Sequence, residues 1–277
     1  MRTPSATLLA LGAIALWSLL AVLAVGLRAL PPFLLLGLAL TGAGMLALPT
    51  WRAWKVPAST LLLGVYGLFG FHLLLFLALR RAPALEANLV NYLWPLLIVL
   101  LAPPFGAGRL RTHHFLAAAM GLAGALLVIT GGAWTLQFAY WDGYLLALGS
   151  AFIWATYSLL TRRVAPFPTA AVGLFCLVSG VLALALSAAM EAAVMPTPMQ
   201  WALIALLAAG PMGAAFFLWD AALKRGDARA IGTLAYLTPL GSTLALVAAG
   251  SGALTAQTAI AAALIVGGAA LGARRGG

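Results

Sequence analysis

Side chains able to do chemistry are scarce in this sequence, and their scarcity narrows the options. The carboxylates are Glu86, Asp142, Glu191, Asp220 and Asp227, the histidines are His72 and the adjacent pair His113-His114, and Cys176 is the one thiol. Metal binding or acid–base catalysis needs such groups converging at one place. These are scattered, which disfavours an enzyme, and neither a metal nor a cofactor is expected. A lone cysteine inside an apolar run also excludes a disulfide framework. What recurs instead is polar and aromatic residues beside prolines. Asn91, Tyr92 and Trp94 precede Pro95; Tyr236 and Thr238 precede Pro239. Such rings offer a ligand flat apolar walls with polar edges.

Each of these residues also has a plainer reading. Asp142, Glu191 and Asp227 fall between apolar runs and read as solvated surface. Glu86 stands one turn into a predicted helix, where the positive helix end favours a carboxylate. Pairing with Arg81 suits it slightly better than attracting a substrate ammonium. Asp220 has Lys224 one turn on, the spacing of a snorkelling pair. His72, in mid-helix, reads as a satisfied buried imidazole ahead of a proton relay. Trp94 and Trp154 suit cavity walls but also core packing or an interfacial belt, with site and packing equally suited for Trp94, whereas Trp54, Trp134 and Trp141 sit where interfacial belts form.

The elements that must position these residues follow from composition. Charged residues make up 7% of the chain and hydrophobic ones 64%, against about a quarter charged in soluble domains. The apolar residues come in runs of roughly twenty, the length that crosses a bilayer. Spans are expected at 6–27, 33–49, 59–79, 83–102, 114–131, 143–161, 168–190, 199–222, 229–249 and 256–272. The fold expected is therefore all-α and membrane-embedded, with ten transmembrane helices. The first run, after Arg2, is long enough to span and is read as a retained helix rather than a signal peptide. No joint is long enough for a soluble domain, so residues 1–277 form a single transmembrane domain.

The net charge of +10 does not imply nucleic acid, because Lys and Arg sit in pairs between apolar runs. Such pairs report topology. With the N-terminus inside, 12 of the 15 basic residues are cytoplasmic, and only Arg28, Arg80 and Arg81 lie outside. Both termini are accordingly expected in the cytoplasm. The expected partners are the lipid bilayer and a small-molecule substrate. Gly268 and Gly272 have the spacing of a close helix contact, within one chain or in a weak homodimer.

An internal repeat adds to this. ALRRAPALEANLVNYLWP (Ala78 to Pro95) aligns without gaps with ALKRGDARAIGTLAYLTP (Ala222 to Pro239), and Trp17 matches Trp154. The alternative is chance similarity between apolar helices. Units of about 1–137 and 138–277 would hold five helices each, an odd number, so the second enters the membrane inverted. Inverted repeats give a carrier two similar conformations with a site between them near the midplane. Pro95 and Pro239 would bend equivalent helices and free backbone carbonyls. Gly210-Pro211 and the glycines Gly64, Gly67 and Gly70 supply weaker points, with Pro211 a third candidate hinge.

Trp17-Ser18 and AFIWATYS at Ala151 to Ser158 resemble the drug/metabolite transporter superfamily, EamA type. More narrowly, EANLVNYLWP at Glu86 to Pro95, AFIWATYSLLTRR at Ala151 to Arg163 and YLTPLGS at Tyr236 to Ser242 are similar to YddG-type aromatic amino acid exporters. That resemblance implies inner-membrane export of aromatic and other neutral amino acids through a central cavity. Carried over by match are Glu86, Asn91, Tyr92, Trp94, Pro95, Trp154, Tyr157, Tyr236 and Pro239. Trp17 and His72 complete the candidate lining. A broad exporter of drugs or other metabolites on the same fold is the rival function, and a membrane-embedded enzyme stands behind it.

Overall fold

The computed structural model describes residues 4–106, 109–132, 137–250 and 254–272. The expectations for Arg2, Trp134, Arg274 and Arg275 lie outside them. Among the described residues the regular structure is helical throughout. The helical segments are α1 (Ala6–Leu27), α2 (Pro32–Leu46), α3 (Ala58–Arg81), α4 (Ala84–Leu101), α5 (Thr112–Thr130), α6 (Phe138–Leu160), α7 (Thr169–Met190), α8 (Pro198–Arg225), α9 (Ala228–Ala248) and α10 (Ala256–Gly272). Eight of these are long and apolar enough to cross a membrane. α2 qualifies only together with the turn Leu48–Trp54, to which it is bent by 81°, and α10 is a shorter apolar helix of 17 residues. Large apolar side chains such as Val25, Leu62, Leu206 and Ile260 face outward, as expected where hydrocarbon is the solvent.

The helix ends follow from local chemistry. Pro32 opens α2 at the position where a missing N–H costs nothing. Thr197 and Gln200 form a reciprocal cap at the start of α8, Asp227 caps α9, and Gly131 ends α5 in the left-handed region at φ 59°. Glu191 corrects the expectation of a solvated acid. Its side chain is 2% exposed, and its two oxygens accept from the Phe33 and Leu34 N–H groups at 3.0 and 2.9 Å. The unsatisfied donors at the start of α2 draw the carboxylate in, and Arg80 pairs with it at 2.9 Å.

The interior breaks fall where sequence chemistry weakens the helix. In α4 the ladder is interrupted at Tyr92-Leu93, just before Pro95, and in α9 at Ala235-Tyr236, before Pro239. α3 carries a π turn at Tyr66–Gly70 and α8 one at Gly210–Ala214, 144 residues later. The same offset carries Phe71–Arg81 onto Ala215–Arg225 and the start of α4 onto the start of α9. Close packing elsewhere relies on small residues. A side chain on Gly37, Gly44 or Gly180 would collide across the α2–α7 contact, and one on Gly124 or Gly268 across α5–α10. The Gly268/Gly272 face is thus used inside the chain, against Ala117, Gly121 and Thr233.

Candidate substrate cavity

Aromatic rings from five helices meet at mid-span. Trp17 of α1 donates from Nε1 to the Pro211 carbonyl in the α8 π turn, 3.1 Å away. The π turn thereby presents a backbone acceptor that an unbroken helix would keep to itself. Around Trp17 stand Trp219 at 5.2 Å between centroids, Trp154 at 5.9 Å, Phe216 at 6.1 Å and Trp94 at 6.4 Å. Trp94 meets Trp17 at 83° and Trp154 at 84°, the edge-to-face arrangement that ring quadrupoles favour. Phe71 of α3 closes on Trp154 at 5.3 Å. Trp219 is held by a hydrogen bond from its Nε1 to Ser158 Oγ of α6, 3.1 Å.

Trp17, Phe71, Trp94, Trp154 and Phe216 floor a cavity of about 590 Å³, with Trp219 buried behind them, within the size range of small-molecule sites. Its walls come from the C-terminal halves of α1, α3, α5 and α9 and the N-terminal half of α4. It therefore lies toward the end of the molecule that carries Arg28, Arg80 and Arg81. Polar lining groups are His72, Asn88, Asn91, Tyr92, Thr238, Ser242 and Thr243; among the described residues no Asp, Glu, Lys or Arg lines it. His72 is buried, and its Nδ1 donates to the Leu68 carbonyl one turn back, at 2.6 Å.

Of the sequence-derived candidates, Trp17, His72, Asn91, Tyr92, Trp94, Trp154 and Pro239 line this cavity. The others lie beside it. Tyr157 is buried next to Trp154, its ring against Gly67, where any Cβ would overlap it. Tyr236 is fully buried against Gly121 in the same manner. Pro95 is buried behind the α4 break, and Pro211 acts through its carbonyl. Glu86 departs from the expected pairing with Arg81. It is buried and accepts from the Tyr144 hydroxyl of α6, while Arg81 pairs with Asp142 at 3.2 Å. The first turn of α4 faces α6, so the phenol reaches the carboxylate and the guanidinium stays at the rim. Sequence reasoning passed over Phe216 and Trp219. Phe216 had a usable signal, since it stands 144 residues after His72.

Hydrogen bonds tie the opposite end together. Arg163 donates to the Phe105 and Pro104 carbonyls at 2.9 and 3.3 Å, Arg162 to Gly226 at 3.2 Å, and Arg229 to Arg109 at 2.6 Å. Burial pushes the Asp227 carboxyl up, but side-chain and backbone hydrogen bonds from Arg229 outweigh it and hold the group below its usual range. Deeper in, Asp220 accepts from Lys224 Nζ at 2.7 Å and Thr169 Oγ1 at 2.6 Å. Lys224 also donates to the Phe167 carbonyl and stands 3.6 Å from that ring's centroid.

The cavity is open toward one end and aromatic at its floor, and among the described residues its lining carries no Asp, Glu, Lys or Arg; the sequence around it matches one family twice over. The model of the EamA-like transporter family covers residues 4–130 and again 141–273. The chain belongs to the EamA-like transporter family. It is a multi-pass membrane transporter and not an enzyme. Among EamA relatives it is 44% identical to the aromatic amino acid exporter YddG of Ancylobacter novellus over 98% of both chains. It is 29% identical to the Escherichia coli protein of the same name over 89% of both. A solved crystal structure superposes with a TM-score of 0.93 and 42% identity, covering 97% of this chain and 96% of that one.

Proposed function

We propose that this transporter exports aromatic and other neutral amino acids across the inner membrane, by alternating access between two inverted five-helix units. The uncharged cavity with its floor of tryptophans carries the reading. A zwitterion has no net charge to neutralise, so a cavity of hydroxyls, amides and one imidazole can hold its head group while the rings hold its side chain. An anionic or cationic amino acid would leave a net charge desolvated without a partner. The names of the relatives point the same way.

Ten crossings, units of about 1–137 and 138–277, and cytoplasmic termini make up the rest of the proposal. They are supported by the 144-residue offset of the π turns, the two family matches and the charge split. Use of the Gly268/Gly272 face within the chain favours a monomer. The test is counterflow in proteoliposomes with phenylalanine, tryptophan, leucine, aspartate, lysine and a lipophilic drug cation. Phenylalanine and tryptophan should exchange fastest, leucine more slowly, and the charged amino acids not at all. Transport of the drug cation with no amino acid exchange would overturn the assignment in favour of a broad exporter.

A further inference from the structure

If the two units are related by a two-fold axis in the membrane plane, each residue lining the open cavity has a partner lining the vestibule that forms when the molecule opens the other way. Phe71, His72, Leu75 and Phe76 line the cavity from α3; 144 residues on stand Ala215, Phe216, Trp219 and Asp220 of α8. Leu20, Ala21 and Ala24 line it from α1, and the Trp17–Trp154 match carries them onto Tyr157, Ser158 and Thr161 of α6. Most of these partners are apolar or small. One is a carboxylate.

We propose that Asp220 is the seat for the substrate's ammonium group in that opposite-facing vestibule. The inference rests on the transport reading above and on the inverted relation of the two units. In the present state the Asp220 side chain is 1% exposed. Its Oδ2 accepts from Lys224 and Thr169, and among the described residues Oδ1 has no partner. A carboxylate buried in this way needs a cation beside it, and Lys224 Nζ supplies a primary ammonium. The free amino acid carries the same group. A small cavity of about 230 Å³, lined in part by Thr161, Phe167 and Lys224, already lies at this end. Opening widens it, draws Lys224 toward water, and lets a substrate ammonium take its place on Asp220. Among the described residues the outer cavity has no equivalent, and Phe76 stands where Asp220 would be. The two faces therefore hold the same head group by different means, neutral dipoles on one and a carboxylate on the other.

The experiment measures half-saturation for phenylalanine separately from the Arg80-Arg81 face and the Lys224-Arg225 face of oriented proteoliposomes. Charge-assisted hydrogen bonds set the scale, so Asp220→Asn should raise half-saturation about tenfold to a hundredfold at the second face. At the first face it should stay within about twofold. Against 3-phenylpropionate, which lacks the amine, the two proteins should be alike. An equal change at both faces, or none, overturns the proposal while leaving transport intact; wild-type protein that moves no phenylalanine overturns the function itself. Should Asp220→Asn fail to insert, Thr161→Cys in a Cys176→Ala background gives a second readout with Asp220 present. Impermeant thiol reagent should reach it from the Lys224 face alone, and phenylalanine should slow the labelling. No labelling, or labelling that phenylalanine leaves unchanged, overturns the proposal.

Discussion

Arg80 and Lys224 each stand near the end of a helix that contains a π turn, and each lies over a phenylalanine, Phe33 in the first turn of α2 at 5.2 Å and Phe167 just before α7 at 3.6 Å. The backbones correspond, and the chemistry does not. Arg80 is 38% exposed and reaches across to Glu191, a residue of the other half. Lys224 is 23% exposed and turns back on Asp220 of its own helix, drawing in Thr169. The larger cavity opens toward the end that carries Arg80, and the smaller one of about 230 Å³ lies beside Lys224. Under the proposed inverted repeat, matching kinks give both halves the means to bend, and the side chains at the ends of those helices set which end closes. Symmetry of the backbone makes two states possible; asymmetry of the side chains gives them different energies.

The sharpest way to break this comparison is to remove each cation in turn. Lys224→Met leaves Asp220 buried with only the Thr169 hydroxyl, a loss of about 3 kcal/mol for a broken buried pair. Arg80→Met should cost no more than about 1 kcal/mol, because the arginine is half in water and Glu191 keeps two backbone donors. Thermal unfolding in detergent reads the difference. Adding Asp220→Asn to Lys224→Met should restore most of the loss, since no uncompensated charge remains. Equal destabilisation by the two methionines would mean that both pairs serve the same structural purpose.

Much of this arrangement was legible in the sequence, because membrane helices announce themselves by length and composition. Every expected span has a helix within a few residues of it, and eight of these helices are long and apolar enough to cross a membrane. The breaks at Tyr92-Leu93 and Ala235-Tyr236 were legible too, since proline removes a backbone donor wherever it stands. The π turns were foreshadowed by Gly64, Gly67, Gly70 and Gly210-Pro211, though glycine alone does not say which irregularity forms. What could not be read was which acid meets which base. Glu191 and Asp142 look alike in sequence, yet one caps α2 while the other holds Arg81 at the rim. That choice depends on the α2–α7 packing, which brings the end of α7 over the start of α2. Trp219 escaped notice for a related reason, as one tryptophan among nine. Only the three-dimensional convergence on Trp17 sets it apart.

A smaller effect sharpens the account of the floor. Trp94 of α4 lines the cavity, and the residue 144 positions later, Thr238, lines it from α9. If Trp94 is a wall for the substrate side chain, Trp94→Ala should reduce tryptophan and phenylalanine transport relative to leucine by about three- to tenfold, the scale of one ring–ring contact. Thr238→Ala should lower all three substrates alike, because a hydroxyl at that place serves the shared head group. Uniform loss in Trp94→Ala together with a lower unfolding temperature would mean that the ring is packing between Trp17 and Trp154.

The smallest expected effect concerns energy coupling. A proton-driven carrier needs a titratable group that meets both compartments in turn. Among the described residues His72 is the one histidine or acid in the cavity lining, its counterpart is Phe216, and its Nδ1 is committed to the Leu68 carbonyl. Glu86 and Glu191 are buried but held outside the cavity by Tyr144 and Arg80. Asp220 sits at the sealed end and, in the vestibule proposed for it, meets one compartment only. Among the described residues none of these groups is placed to meet both faces. An imposed pH gradient should therefore alter initial uptake of phenylalanine into proteoliposomes by less than about twofold, and His72→Gln and Glu86→Gln should respond as the wild type does. Accumulation above the external concentration that requires the gradient, and is lost in His72→Gln, would show that one imidazole at the floor's edge is enough. The two halves would then differ in energy coupling as well as in the way they hold the substrate.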